Sequence, residues 1–161
     1  MLQRLPHHRL PRLGRVSIPV LTALVLAACS GGGEWLSPLA RDHPLVGRVW
    51  QPVPGRFTAP ADVAHAAAQA DFLLLGETHD NPDHHRLQAR LVGVAAETGR
   101  RPAVVFEMIA EDQGQALARW RAGSPKDAAA LGDAVGWKAA GWPAFSTYRA
   151  IAEAALAADL P

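Results

Sequence analysis

The chain has 161 residues, a formal net charge of +1 and a single cysteine. This length suits one domain. A charge so close to zero gives no sign of a nucleic-acid-binding surface, and one cysteine excludes an intrachain disulfide. We therefore expect no nucleic-acid partner and no disulfide-stabilised fold.

The N-terminal segment has the pattern of a lipoprotein leader. Its arginines all precede the first acidic residue, Glu34, and the apolar stretch 16–26 is too short to span a bilayer, which needs ~20 residues. Residues 26–29, Leu-Ala-Ala-Cys, resemble a bacterial lipobox, in which the cysteine sulfur receives the lipid. We expect a signal peptide over residues 1–28, lipidation at Cys29 and a Gly-rich tether over 29–34. Ser30 follows the cysteine where an aspartate would retain many such lipoproteins in the inner membrane, so we expect the outer membrane, facing the periplasm.

Residues 35–161 alternate between predicted helices and short apolar runs. A strand is expected within 46–50 and a helix over 60–70, where Pro60 suits the first turn. Residues 71–75 are an apolar run typical of a strand buried on both faces. Asn81 and Pro82 then open a helix to about residue 98, and 103–106 form a second apolar run. Further helices are expected over 112–121, after 124–127, and over 144–158, with a break at 136–143.

The strand, helix and strand over residues 71–106 predict a βαβ unit. Its strands should be parallel and its crossover right-handed. The fold class is therefore α/β, a parallel sheet core with additional helices. The apolar runs supply too few strands for so many helices. We therefore expect the chain to be a truncated part of a larger domain.

The densest chemistry lies just after the first predicted strand. Glu77, His79, Asp80, Asp83, His84 and His85 fall within nine residues. Glu107 follows the second predicted strand, so Glu77, His79 and Glu107 should emerge at one edge of the sheet, where open α/β folds bind ligands. Helical geometry, at about 100° per residue, places His84 on the side of Leu87 and Leu91 and turns His85 toward solvent.

This cluster has more than one chemical interpretation. Glu77, His79 and Glu107 suit a divalent metal such as zinc or manganese, and they suit general acid/base chemistry equally well. Tyr148, the only tyrosine, is either a core residue or an iron ligand, since tyrosinate and histidine are both axial haem ligands. Trp137 and Trp142 are typical core residues, and their position between helices is also that of a lid.

Several motifs resemble the ChaN-like haem-binding lipoproteins. They are residues 74–88 (LLGETHDNPDHHRLQ), residues 105–108 (VFEM), the Trp137, Trp142 and Tyr148 pattern, and residues 44–47 (PLVG). The resemblance covers 35–161 and implies the N-terminal part of a haem-binding domain in a lipid-anchored protein of iron or haem uptake. It also implies that haem lies between two subunits of a homodimer. The cofactor-binding candidates are then Tyr148, His84, His79, Trp137 and Trp142.

The pattern Gly76-Glu-Thr-His79 with Glu107 also resembles a wider group that includes erythromycin esterases and TraB/Tiki-type metalloproteases. That resemblance implies an alternative function, a metal-dependent hydrolase using Glu77, His79 and Glu107. The ChaN-like resemblance favours a haem-binding module over an enzyme. The residues alone predict a polar ligand site and do not decide between haem and a divalent metal.

Overall fold

A computed structural model of the chain describes residues 34–123 and 127–161. The predicted signal peptide, lipidation site and most of the tether lie outside these ranges. Within them the chain forms five helices, which are α1 (Pro60–Gln69), α2 (Pro82–Glu97), α3 (Gly114–Gly123), α4 (Ala128–Ala134) and α5 (Arg149–Ala157). Short 3-10 turns are Glu111–Gln113, Trp137–Ala140 and Phe145–Thr147. None of the described helices is both long and apolar enough to cross a membrane.

The strands β1 (Val49–Gln51) and β2 (Arg56–Thr58) form an antiparallel hairpin. Trp50 pairs with Phe57 across it, and their rings meet edge to face at 5.0 Å between centroids. The Arg48 guanidinium lies 3.6 Å from the centre of the Phe57 ring, a cation–π contact. The strand expected within 46–50 is therefore present but shifted, and it belongs to an antiparallel pair.

The parallel sheet core predicted from the sequence is not shown. Residues 71–75 and 103–106 carry none of the ladder hydrogen bonds of a strand in the described parts of the chain. The backbone N–H of Val104 instead donates to the carbonyl of Pro161 at 3.0 Å. Phe72, Leu74 and Val105 are 88%, 89% and 88% exposed. The apolar pattern indicated strands buried on both faces, and the described residues do not bury both faces of these segments. Helices with a small sheet remain compatible with an α/β class.

Helix α2 begins as the sequence predicts. Asn81 is its N-cap, and the Asn81 side chain accepts a hydrogen bond from the backbone N–H of Asp83 at 3.0 Å. Pro82 occupies the first turn, where its missing N–H is not needed. The cap fixes the direction in which the chain leaves the Gly76–Asp80 loop. It therefore helps to position Asp83, His84 and His85 in the first turn of α2.

The main core lies where α2 and α5 pack together. Val92 of α2 and Ile151 and Ala152 of α5 are buried there with Trp137 and Tyr148. The turn that carries Trp137 is bounded by Gly136 and Gly141, which both have positive φ and adopt the left-handed conformation that glycine tolerates best. The predicted break at 136–143 is therefore present, and it brings Trp137 under the start of α5.

Candidate functional site

Glu77 is the centre of a buried polar cluster. Its Oε1 accepts a hydrogen bond from the Tyr148 hydroxyl at 2.7 Å and lies 2.7 Å from Nδ1 of His79. Its Oε2 lies 3.0 Å from Nε2 of His85, although these two atoms are not aligned as a hydrogen bond. Burial raises the pKa of Glu77, but the Tyr148 and His79 hydrogen bonds and the attraction of His85 outweigh it, so the pKa falls below its ordinary value. The carboxylate form is favoured.

His79 is the member of this cluster that reaches the surface. Its side chain is 40% exposed, whereas that of Glu77 is 8% exposed. With Glu77 as the acceptor, Nδ1 of His79 carries the proton and Nε2 is the basic nitrogen. Carboxylate-to-histidine pairs of this kind orient histidine ligands at metal centres. Glu77 therefore orients His79 as carboxylates orient histidine ligands at metal centres.

Tyr148 is fully buried, with 0% exposure. Besides its bond to Glu77, the hydroxyl lies 3.2 Å from the carbonyl oxygen of His79. Burial raises the pKa of the Tyr148 phenol far above its ordinary value, and the Glu77 hydrogen bond and charge raise it further. Direct ligation of iron by Tyr148 would require loss of this proton and of its contact with Glu77. The sequence indicated Tyr148 as a core residue or an iron ligand and did not predict its bond to the Glu77 motif.

The predicted orientation of His84 and His85 is wrong. His85 is 0% exposed and stacks at 3.8 Å between ring centroids on Tyr148, while His84 is only partly buried. Burial lowers the pKa of His85, against the attraction of Glu77. The buried stripe of α2 runs through His85, Ala89, Val92 and Ala96. The sequence pattern predicts that the side of Leu87 is the buried one. The buried side instead carries small alanines, which let α2 approach α5 closely.

His84 holds the loop that contains the motif. Its Nδ1 accepts a hydrogen bond from the backbone N–H of Thr78 at 2.8 Å. Nδ1 is thus occupied, and the proton of the neutral ring must sit on Nε2. His84 therefore offers no unprotonated nitrogen to a ligand in this arrangement, although it supports the position of the neighbouring His79.

Asp83 has a role that the sequence analysis did not assign. Its carboxylate accepts hydrogen bonds from the backbone N–H groups of Leu36 and Ser37 at 3.0 and 2.8 Å, and from Arg86 at 3.2 Å. Burial raises the pKa of Asp83, but these donors lower it more, so the pKa lies below its ordinary value. No local sequence pattern could have shown this, because Leu36 and Ser37 lie far away along the chain.

The predicted metal set is only partly assembled. Glu77 and His79 are in contact, but Glu107 is exposed and joins neither of them by a hydrogen bond in the structure. The negative charge of Glu107 contributes to the raised pKa of Tyr148, but less than burial and Glu77 do. Across residues 34–123 and 127–161, no three His, Cys, Asp or Glu side chains are grouped to hold a metal ion.

A cleft of about 480 Å³ has Trp142 in common with the surroundings of His79, although His79 itself does not line it. Trp142 lines it and also packs edge to face on the His79 ring, with 5.0 Å between centroids. Trp137 contributes to the cleft wall but is itself almost fully buried, and its indole N–H donates to the Pro143 carbonyl at 2.7 Å. The cleft wall also includes Phe145, Lys138 and Arg149. Aromatic surface and two cations therefore line a cleft whose Trp142 also contacts the exposed histidine.

The chain was compared with known proteins and protein families. The family model described as "Haem-binding uptake, Tiki superfamily, ChaN" matches residues 63–161. The match includes Glu77, His79, His85, Tyr148 and the residues that line the cleft. Searches of curated proteins and of solved structures found no significant match.

Proposed function

Because the chain belongs to the ChaN haem-binding uptake family of the Tiki superfamily, we propose that it binds haem as cargo, with His79 as an axial ligand of the iron. The observation that carries this proposal is the state of the His79 ring. Nδ1 is held by the carboxylate of Glu77 at 2.7 Å, and the side chain is 40% exposed. Nε2 is left as the nitrogen that can bind iron.

The cleft that shares Trp142 with His79 supports this proposal by its chemistry. Ligand pockets commonly have volumes of about 300–1,000 Å³ and apolar walls with a few polar groups, and this cleft has about 480 Å³. Haem combines a flat apolar macrocycle with two carboxylate groups. Trp142 and Phe145 offer aromatic surface for the macrocycle, and Lys138 and Arg149 offer positive charge for the carboxylates. The residues present therefore fit the group.

Tyr148 and His84 are less suited to bind the iron directly. Tyr148 is fully buried and donates its proton to Glu77, while Nδ1 of His84 is occupied by the Thr78 N–H. We assign both residues a supporting role, in which Tyr148 holds Glu77 and His84 holds the loop. Bound haem would supply the coordinated iron, and the protein's part is to select, orient and retain it.

A hemin titration of the purified protein tests the proposal. Wild type should develop a Soret band that saturates at a fixed stoichiometry, and His79→Ala should weaken binding at least tenfold and shift the band. His65→Ala is the matched control, because His65 is exposed on α1. Tyr148→Phe and His84→Ala should retain the ligation spectrum of wild type. Absence of a saturable Soret band in wild type, or identical spectra for the two alanine variants at 65 and 79, would refute the proposal.

We also propose that the protein is lipid-anchored at Cys29 in the outer membrane, facing the periplasm, and takes part in haem or iron uptake. The Leu-Ala-Ala-Cys sequence at 26–29 and the basic segment before it support this. A Cys29→Ser variant expressed in a bacterial host should lose incorporation of labelled palmitate and leave the membrane fraction. Equal palmitate labelling of wild type and variant would contradict the anchor. That result would leave the proposal of haem binding untouched.

A further inference from the structure

Glu77 does more than orient His79, because its Oε1 accepts from both Tyr148 and His79. Tyr148 and His79 both share Oε1, each at 2.7 Å, and Nε2 of His85 lies 3.0 Å from Oε2. The Glu77 side chain is only 8% exposed, so water weakens these interactions little. A carboxylate in this setting polarises the Nδ1–H bond of His79, so the ring donates more electron density to a bound metal ion.

We infer, on the premise of the proposed haem function, that the site selects ferric over ferrous haem and that Glu77 sets this preference through His79. An electron-rich imidazole stabilises the more highly charged ferric iron. Hydrogen bonding around an axial ligand is one of the means by which a protein sets the reduction potential of haem. Glu77 and Tyr148 are positioning residues in this inference, since neither touches the iron.

Tyr148 and His79 donate to the same carboxylate oxygen of Glu77. The inference therefore predicts that changes at Tyr148 and at Glu77 shift the preference for ferric haem in opposite directions. The two donors compete for the electron density of Glu77 Oε1. Removing the Tyr148 hydroxyl should strengthen the bond between Glu77 and His79 and increase the preference for ferric haem. Neutralising Glu77 should weaken that bond and reduce the preference. If the cluster had only a structural role, the two variants would not change the preference for ferric haem in opposite directions.

The experiment is a spectroelectrochemical titration of the hemin-loaded protein, with dithionite as the one-electron reductant and ferricyanide as the oxidant. Glu77→Gln should raise the ratio of ferrous to ferric affinity at least tenfold, which corresponds to a rise of about 59 mV in midpoint potential for a one-electron couple. Tyr148→Phe should lower the ratio about threefold. Glu97→Gln, at the exposed end of α2, is the control and should leave the ratio unchanged.

The outcomes separate this inference from the function on which it rests. If wild type shows no saturable Soret band, the proposed function fails. If haem binds through His79 but Glu77→Gln or Tyr148→Phe has the midpoint potential of wild type, the inference fails and haem binding stands. If Glu77→Gln does not fold, Tyr148→Phe decides alone, and an unchanged or raised potential in that variant overturns the inference.

Discussion

The polar cluster around Glu77 and the apolar segments 71–75 and 103–106 differ in how many packing and hydrogen-bond partners the described chain supplies for them. Glu77 finds its partners in Tyr148, His79 and His85. In contrast, Phe72, Leu74 and Val105 remain almost fully exposed. A polar side chain is satisfied by a few well-placed donor or acceptor atoms. A buried strand is stabilised only when neighbouring strands and packing layers are present. Within the described residues, the polar cluster is therefore assembled while the predicted parallel sheet is not seen.

Of changes in the two regions compared, the largest expected effect comes from breaking the polar cluster. Glu77→Ala removes the main acceptor of the buried Tyr148 hydroxyl and the negative charge beside the buried His85 ring. An unpartnered buried polar group costs about 1–3 kcal/mol, so we expect the free energy of unfolding to fall by ~3 kcal/mol, measured by urea denaturation. Glu97→Ala, on an exposed part of α2, is the control. Equal losses in both variants would show that the cluster does not stabilise the fold.

Asp83 provides a second, smaller way to break the polar region. Asp83→Ala removes the acceptor for the backbone N–H groups of Leu36 and Ser37. Hydrogen bonds to charged groups contribute about 1.5–3 kcal/mol, so we expect a loss of ~2 kcal/mol and faster hydrogen exchange at these two amides. Asp80→Ala changes an exposed neighbour and serves as the control. Unchanged hydrogen exchange at Leu36 and Ser37 in the Asp83 variant would contradict the role of the Asp83 carboxylate as their acceptor.

The pH dependence of stability should report on His85. Burial lowers its pKa in the folded protein, so below about pH 6.5 the unfolded chain binds more protons than the folded one. Stability is therefore present above that pH and is lost as the pH falls toward the folded pKa, with a slope of at most about 1.4 kcal/mol per pH unit for this group. His85→Gln should reduce the slope between pH 6.5 and 5. A slope equal to that of wild type would exclude His85 as its source.

The smallest effect is expected in the apolar segments. Leu74→Ala changes a side chain that is 89% exposed, and the free energy of unfolding should change by less than about 0.5 kcal/mol. Leu131→Ala, in the core, should cost about 2–5 kcal/mol by creating a cavity. Thermal and urea unfolding of the two variants would compare them directly. A loss at Leu74 close to that at Leu131 would show that this segment is buried in solution.

Local patterns predicted the helices well. Asn81 and Pro82 predict the start of α2 because cap chemistry depends on neighbouring residues alone. Gly136 predicts the break before Trp137 because its left-handed conformation is a local requirement. The described residues do not show the predicted parallel strands, since strand formation depends on partners that the local sequence does not specify.

The sequence by itself determined which residue types crowd after Gly76, which family the motifs resemble and where α1 and α2 begin. Only the tertiary structure decided that Tyr148 donates to Glu77, that His85 rather than His84 is buried, and that Asp83 holds residues 36 and 37. The physical reason is the range of the interactions. Caps and turns are settled within a few residues, whereas the partner of a buried carboxylate depends on how closely α2 and α5 pack.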